Sequence, residues 1–167
     1  MKDHVILVNE KDEPLGSMDK LEVHQKGLLH RAFSVFVFND AGQLLLQRRA
    51  NNKYHSANLW TNTCCSHPYL QENTLDAARR RLKEEMGIDI DLEKKFDFIY
   101  QAKLDNGLTE HEFDHVYVGH YNGHPTLNPA EASEYRWVEI RELKIEIKLQ
   151  PEEFTEWLKI AIDFFDQ

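Results

Sequence analysis

The chain is poor in cysteine. It has two, and they are neighbours, Cys64 and Cys65. Adjacent Cα atoms lie about 3.8 Å apart, short of the roughly 4.4 to 6.8 Å that a disulfide spans, so the pair is not a staple. Nor does any apolar run approach the roughly 20 residues that cross a bilayer, so no membrane-spanning helix and no membrane partner are expected. The opening MKDHVILVNEKDEP returns to charge after a short apolar stretch. A signal peptide is therefore not expected, and the expected compartment is the cytoplasm, where thiols stay reduced. Positive charge is also in deficit: a formal net charge of -9 argues against nucleic acid as a partner, because a phosphate backbone would repel it. An anionic small molecule stays open wherever basic side chains cluster. Repeats, low-complexity tracts and Gly/Pro/Ser linkers are absent, and residues 1–167 read as one domain.

What is present is an ordinary soluble core, with 41% hydrophobic and 29% charged residues. HVILVN (4–9) reads as a strand, followed by a turn through Asp12 to Gly16. AFSVFVFN (32–39) and QLLLQRR (43–49) flank Asp40-Ala41-Gly42 as a β-hairpin. LWTNTCC (59–65) reads as a shorter strand. FDFIYQAK (96–103) and TEHEFDHVYVGHY (109–121) flank Asp105-Asn106-Gly107, the strongest hairpin signal in the chain, and YRWVEI (135–140) reads as a further strand. Thr74 is placed to cap a helix in which Leu75, Ala78, Leu82 and Met86 recur at helical spacing, with Gly87 closing it. Pro151 opens a second helix whose Phe154, Trp157, Leu158, Ala161, Ile162 and Phe165 form a wide apolar stripe. This order predicts an α+β or layered α/β/α domain.

Three stretches point to chemistry. The first is WTNTCCSHP (60–68), where a free cysteine is either a small core residue or a reactive thiol. The second is RRRLKEEMG (79–87), which standing alone reads as a solvated helix face. Glu72 ahead of it and Ile88 after it make it more than that. The third is Glu110-His111-Glu112, on a predicted strand where i and i+2 share a face, so two carboxylates repel unless a cation or proton joins them. His24 and His30, read as lying in the loop before the first hairpin, and His67 add imidazoles. Three imidazoles with two carboxylates suit a divalent ion such as Mn²⁺ or Zn²⁺.

The second stretch resembles the Nudix box, Gly-x5-Glu-x7-Arg-Glu-U-x-Glu-Glu-x-Gly-U. Ser66 stands at the first glycine and Arg81 at the first acid of its core, while Glu72, Arg80, Leu82, Glu84, Glu85, Gly87 and Ile88 match. A guanidinium at 81 repels metal ions yet can grip diphosphate oxygens, so poor phosphoanhydride hydrolysis is expected. With WTNTCCSHP, Lys20 to His30, Gln47 to Lys53 and Glu110-His111-Glu112, the chain resembles the type I isopentenyl-diphosphate isomerases, a branch of the Nudix fold. The likeness runs from about His4 to Phe165. A Nudix pyrophosphohydrolase and a non-catalytic diphosphate-binding module are the competing readings.

The resemblance implies a Nudix-type α/β/α fold with a mixed sheet and a central Nudix helix. It also implies an isomerase that moves a carbon–carbon double bond between isopentenyl and dimethylallyl diphosphate. Cys65 would be the catalytic thiol, Glu112 its acid–base partner, and Tyr100 an aid to proton delivery. His24, His30, His67, Glu110 and Glu112 would hold one Mn²⁺, Zn²⁺ or Mg²⁺. Glu85 and the Cys65 carbonyl would hold Mg²⁺ arriving with the substrate. Lys20, Arg49, Lys53 and Arg81 would contact the diphosphate, and Trp157 the developing carbocation, although core packing competes for Trp157. A monomer or weak dimer is expected.

Overall fold

The first predicted hairpin is the pivot of the architecture. In the computed structural model, which describes residues 3–165, β3 (His30–Phe38) and β4 (Gln43–Arg49) pair at Phe38–Leu44 and then part. Beyond that point β3 pairs in parallel with β8 (Thr109–His120) along its whole length, and β8 forms the predicted hairpin with β7 (Glu93–Lys103). On its other edge β3 takes β6 (Cys64–Ser66) and, at Leu7–His30, β1 (His4–Val8), which carries β2 (Pro14–Asp19). β4 pairs with β9 (Ala132–Glu139) and with β5 (Trp60–Thr61). The nine strands of the described residues form one mixed sheet.

Strand alternation sends side chains to two cores. Phe33, Val35, Val37, Leu45 and Cys64 pack with Leu82 and Met86 of α2 (Thr74–Met86) on one face. Phe36, Leu44 and Leu46 pack on the other face with Leu143 of α3 (Ile140–Leu149) and Leu158 of α4 (Glu156–Ala161). That is the expected layered α/β/α arrangement, with α2 as the predicted central helix. The cap of α2 is Asn73 rather than Thr74, because the Asn73 carboxamide reaches Leu75 N and Asp76 N. Gly87 closes it at φ +67°, and a Cβ there would lie 2.8 Å from the Thr126 carbonyl, so the following loop packs directly on this glycine.

Other differences have local causes. Gly16 lies inside the exposed edge strand β2, and the turn is made earlier, where Asn9 Oδ1 accepts from Lys11 N and Glu13 N. His24 stands on a short helix, α1 (Lys20–Lys26), capped by Asp19, and His30 begins β3, so neither is in a loop. LWTNTCC is two short strands with Asn62 and Thr63 between them. Pro151 opens a 3₁₀ turn, and α4 restarts under a Thr155 cap, yet the stripe from Phe154 to Phe165 is buried as expected. Ile140 starts α3 instead of ending the strand.

Candidate active site

Where β3 and β4 part, side chains replace the missing ladder. Thr63 Oγ1 accepts from Val37 N at 2.9 Å and donates to Leu45 O at 2.6 Å, bridging the two strands. Asn62, fully buried, donates to Val35 O and Cys64 O, both at 3.0 Å, and accepts from Thr61 and from the Cys65 thiol. The gap opens a cleft of about 350 Å³ that receives residues from both faces of the sheet. Such a volume is within the roughly 300 to 1,000 Å³ of small-molecule sites.

The two cysteines part company on β6, as strand alternation requires. Cys64 is buried against α2, while Cys65 points into the cleft. Thr155, whose N–H donates to Trp60 O and whose hydroxyl donates to Thr61, ties the start of α4 to this strand. Trp157 is thereby held with its indole N–H 3.0 Å from Cys65 Sγ, and the thiol itself donates to Asn62 Oδ1 at 3.1 Å. Burial, then the carboxyls of Asp114 and Glu85, push the thiol up to about 12, so sulfur keeps its proton at neutral pH.

Beside it lies the histidine–glutamate cluster. One ligand atom from each of His24, His30, His67, Glu110 and Glu112 falls within 4.8 Å of all the others. Glu110 and Glu112 do share a face of β8. His24 and His30 each give Nδ1–H to a backbone carbonyl, of Lys20 at 2.7 Å and Leu28 at 2.9 Å, which turns both Nε2 atoms inward. His30 Nε2 then lies 3.2 Å from His67 Nε2 and 3.4 Å from both Glu110 and Glu112. Burial opposes charge on His30, but the two carboxylates outweigh it and raise it to about 10. Burial pulls His67 down to about 3. Converging nitrogen lone pairs and buried carboxylates demand positive charge at one point, and this donor set fits a divalent ion. Tyr100, buried behind the cluster, donates to Glu112 Oε1 at 2.6 Å.

The same cleft carries basic groups: Lys20, Arg49, Lys53 and Arg81 all line it, as do Cys65, His67, Glu85, Glu110, Glu112 and Trp157. His24, His30 and Tyr100 stand behind this wall. Arg81 Nη2 lies 2.6 Å from Glu85 and 3.1 Å from Glu131, and Gln47 donates to Glu85 Oε1 at 2.9 Å. Arg49 gives its protons to the carbonyls of Ser56 and His55 and lies over the Trp157 ring at 5.3 Å. Within the box, Glu72 pairs doubly with Arg80, which also lines the cleft, at 2.8 and 2.9 Å.

Sequence reasoning missed several residues that line or support this cleft. Tyr54 and His55 pack against His24, and His55 also meets Trp157 edge-on. Their loop is gripped by the β7–β8 turn, through Ser56 N to Asp105 and Asn106 to Tyr54 O, a contact no local pattern announces. Asp114 continues the Glu110, Glu112 alternation, the one signal that pointed to it. It is fully buried, accepts from Ser34 at 2.7 Å, and is held well above the usual carboxylate range by burial and by Glu112.

Comparisons with known proteins show the family. The NUDIX domain family matches residues 28–158. Isopentenyl-diphosphate Delta-isomerase 2 of Aromatoleum aromaticum is 52% identical over 163 residues, covering 98% of this chain and 86% of its own. The isopentenyl-diphosphate Delta-isomerase of Serratia proteamaculans is 52% identical over 157 residues, 94% of this chain and 88% of its own. Among solved structures, DR0079 from Deinococcus radiodurans superposes with a TM-score of 0.83 at 20% identity, covering 98% of this chain and 99% of its own, a likeness of fold. The family model spanning most of the chain, and relatives sharing half its residues over nearly all of its length, agree: the chain belongs to the type I isopentenyl-diphosphate Delta-isomerases of the NUDIX family.

Proposed function

We propose that the cleft interconverts isopentenyl and dimethylallyl diphosphate, with Cys65 and Glu112 as the proton-transferring pair. The observation that carries this reading is that a protonated thiol and the Glu112 side chain line one cleft together with Lys20, Arg49, Lys53 and Arg81. Each turnover gives one proton to an alkene carbon and takes one from a neighbouring carbon. The π electrons form the new C–H bond and leave a tertiary cation, and the pair released from the second C–H bond becomes the new double bond. The catalytic pair therefore needs one proton donor and one acceptor, and a thiol that keeps its proton at neutral pH can serve as the donor. Tyr100 steadies Glu112 through its 2.6 Å hydrogen bond and is placed to pass a proton through it.

Trp157 presents an aromatic ring beside the reacting carbons, where an electron-rich face lowers the energy of a carbocation and excludes water that would trap it. Lys20, Arg49, Lys53 and Arg81 bind the diphosphate and so orient the alkene. His24, His30, His67, Glu110 and Glu112 would hold Mn²⁺, Zn²⁺ or Mg²⁺, a fixed positive charge that orients Glu112. Glu85, with the Cys65 carbonyl, would hold the Mg²⁺ that accompanies the diphosphate. The test is to incubate the purified protein with isopentenyl diphosphate and Mg²⁺ and follow dimethylallyl diphosphate by NMR. Signals that stay unchanged with metal-loaded protein would refute the reading.

A further inference from the structure

Glu131 has no part in the roles proposed above, yet it sits among the groups that would bind diphosphate. Its backbone is fixed on every side. Glu131 N donates to Asn128 O at 2.9 Å, Ala130 N donates to Asn128 Oδ1 at 3.1 Å, and Asn128 N reaches Glu85 O on α2 at 3.0 Å. Its own carbonyl accepts from Ala50 N at the end of β4, also at 3.0 Å. The loop thus ties the Nudix helix to the strand that carries Arg49, and the Glu131 carboxylate is delivered to one point.

At that point it meets two cations at once. Lys53 Nζ donates to Oε1, and Arg81 Nη2 lies 3.1 Å from the same oxygen. All three side chains are about four-fifths buried, so water screens the contact weakly. Lys20 and Arg49, by contrast, form no ion pair among the described residues. Lys20 lies over the Tyr54 ring, and Arg49 is spent on carbonyls. Two of the four cations proposed to bind the diphosphate are therefore already engaged by one internal anion.

We infer that Glu131 makes the cleft select the magnesium complex of a diphosphate over the bare anion. This rests on the diphosphate reading above. A bare diphosphate that engages Lys53 and Arg81 displaces the carboxylate, but the fixed backbone keeps that carboxylate close. Like charges then face each other in a partly buried cleft. A diphosphate carrying Mg²⁺ brings less charge and offers a hard cation to a carboxylate oxygen, on the side where Glu85 already waits 2.6 Å from Arg81. Glu131 is in this sense a repulsive element aimed at the wrong form of the ligand.

Titration calorimetry with inorganic pyrophosphate, with and without Mg²⁺, tests this on the wild-type protein, Glu131→Gln and Glu131→Ala. Both substitutions keep the backbone hydrogen bonds that hold the loop. The bare anion is expected to gain about tenfold or more in affinity in both variants, the scale of one charge contact, and the preference for the magnesium complex is expected to shrink by the same factor. An unchanged preference in variants that still bind either form overturns the inference and leaves the diphosphate reading standing. Absence of pyrophosphate binding to the wild-type protein in both forms overturns the two together.

Discussion

Replacing Asn62 by alanine tests whether the cleft wall is held in place by the carboxamide that ties β3 to β6. Asn62 is fully buried and all its hydrogen-bonding positions are used: two donors at 3.0 Å to Val35 O and Cys64 O, and an acceptor for Thr61 at 2.9 Å and Cys65 at 3.1 Å. Alanine leaves two buried carbonyls and two donors short of a partner. An orphaned buried group costs about 1 to 3 kcal/mol, and the hydroxyl and thiol can rotate toward other acceptors, so the loss is set by the two carbonyls at about 2 to 6 kcal/mol. For a domain of this size that lowers Tm by roughly 4 to 24 °C. Asn62→Asp is nearly isosteric yet is expected to be worse, because it turns a donor into a charged acceptor facing two carbonyls without water. Urea unfolding of both variants measures the two losses, and isomerase assays on the folded fraction show whether Cys65 has lost its anchor. An alanine variant within about 0.5 kcal/mol of wild type would refute this role, since that is the range of ordinary surface substitutions.

Three further outcomes are expected. Cys65→Ala should abolish isomerisation with the fold intact, whereas Cys64→Ala should keep activity and lose about 1 kcal/mol of stability from its buried site; equal activity losses in the two variants would remove the distinction. The double variant Glu110→Gln, His67→Asn should lose its tightly held ion by elemental analysis, and unchanged metal content would exclude this ligand set. Asp114→Asn should stabilise the protein increasingly as pH rises. The folded-state pKa of Asp114 lies above its unfolded value of about 3.9, so the native state binds the extra proton and wild-type stability falls as pH climbs from about 4. Parallel stability–pH curves for the two proteins would show that Asp114 does not carry this slope.

Much of the site was legible because it lies on regular elements. The two-residue period of β8 put Glu110 and Glu112 on one face, and the helical spacing of Leu75, Ala78, Leu82 and Met86 marked α2. Adjacent residues on a strand diverge, which is why Cys64 and Cys65 had to have different fates. The rest was hidden for equally physical reasons. α1 has seven residues, of which Val23 and His24 are buried, too few to show a period. β2 is an exposed edge with no alternation. His55 and Glu131 lie on irregular segments whose placement depends on contacts far along the chain, Asp105 for one and the end of α2 for the other. The stripe after Pro151 is apolar, as its spacing predicts, but a hydrophobic pattern does not register the break at Thr155, where a hydroxyl caps α4.

The parting of β3 and β4 has a consequence for motion. The two strands share one backbone pair at Phe38–Leu44, and further along they are joined through the side chain of Thr63. A seam made of side-chain bonds opens more readily than a ladder. Gln47 and Arg49 stand on one bank, and Cys65 and His67 on the other. A bound molecule that touches both banks closes the seam as a clasp does, coupling occupancy to the rigidity of the sheet. Amide hydrogen exchange along Ser34 to Val37 and Leu45 to Gln47 is expected to slow on ligand binding, while exchange in the β7–β8 hairpin stays as it was.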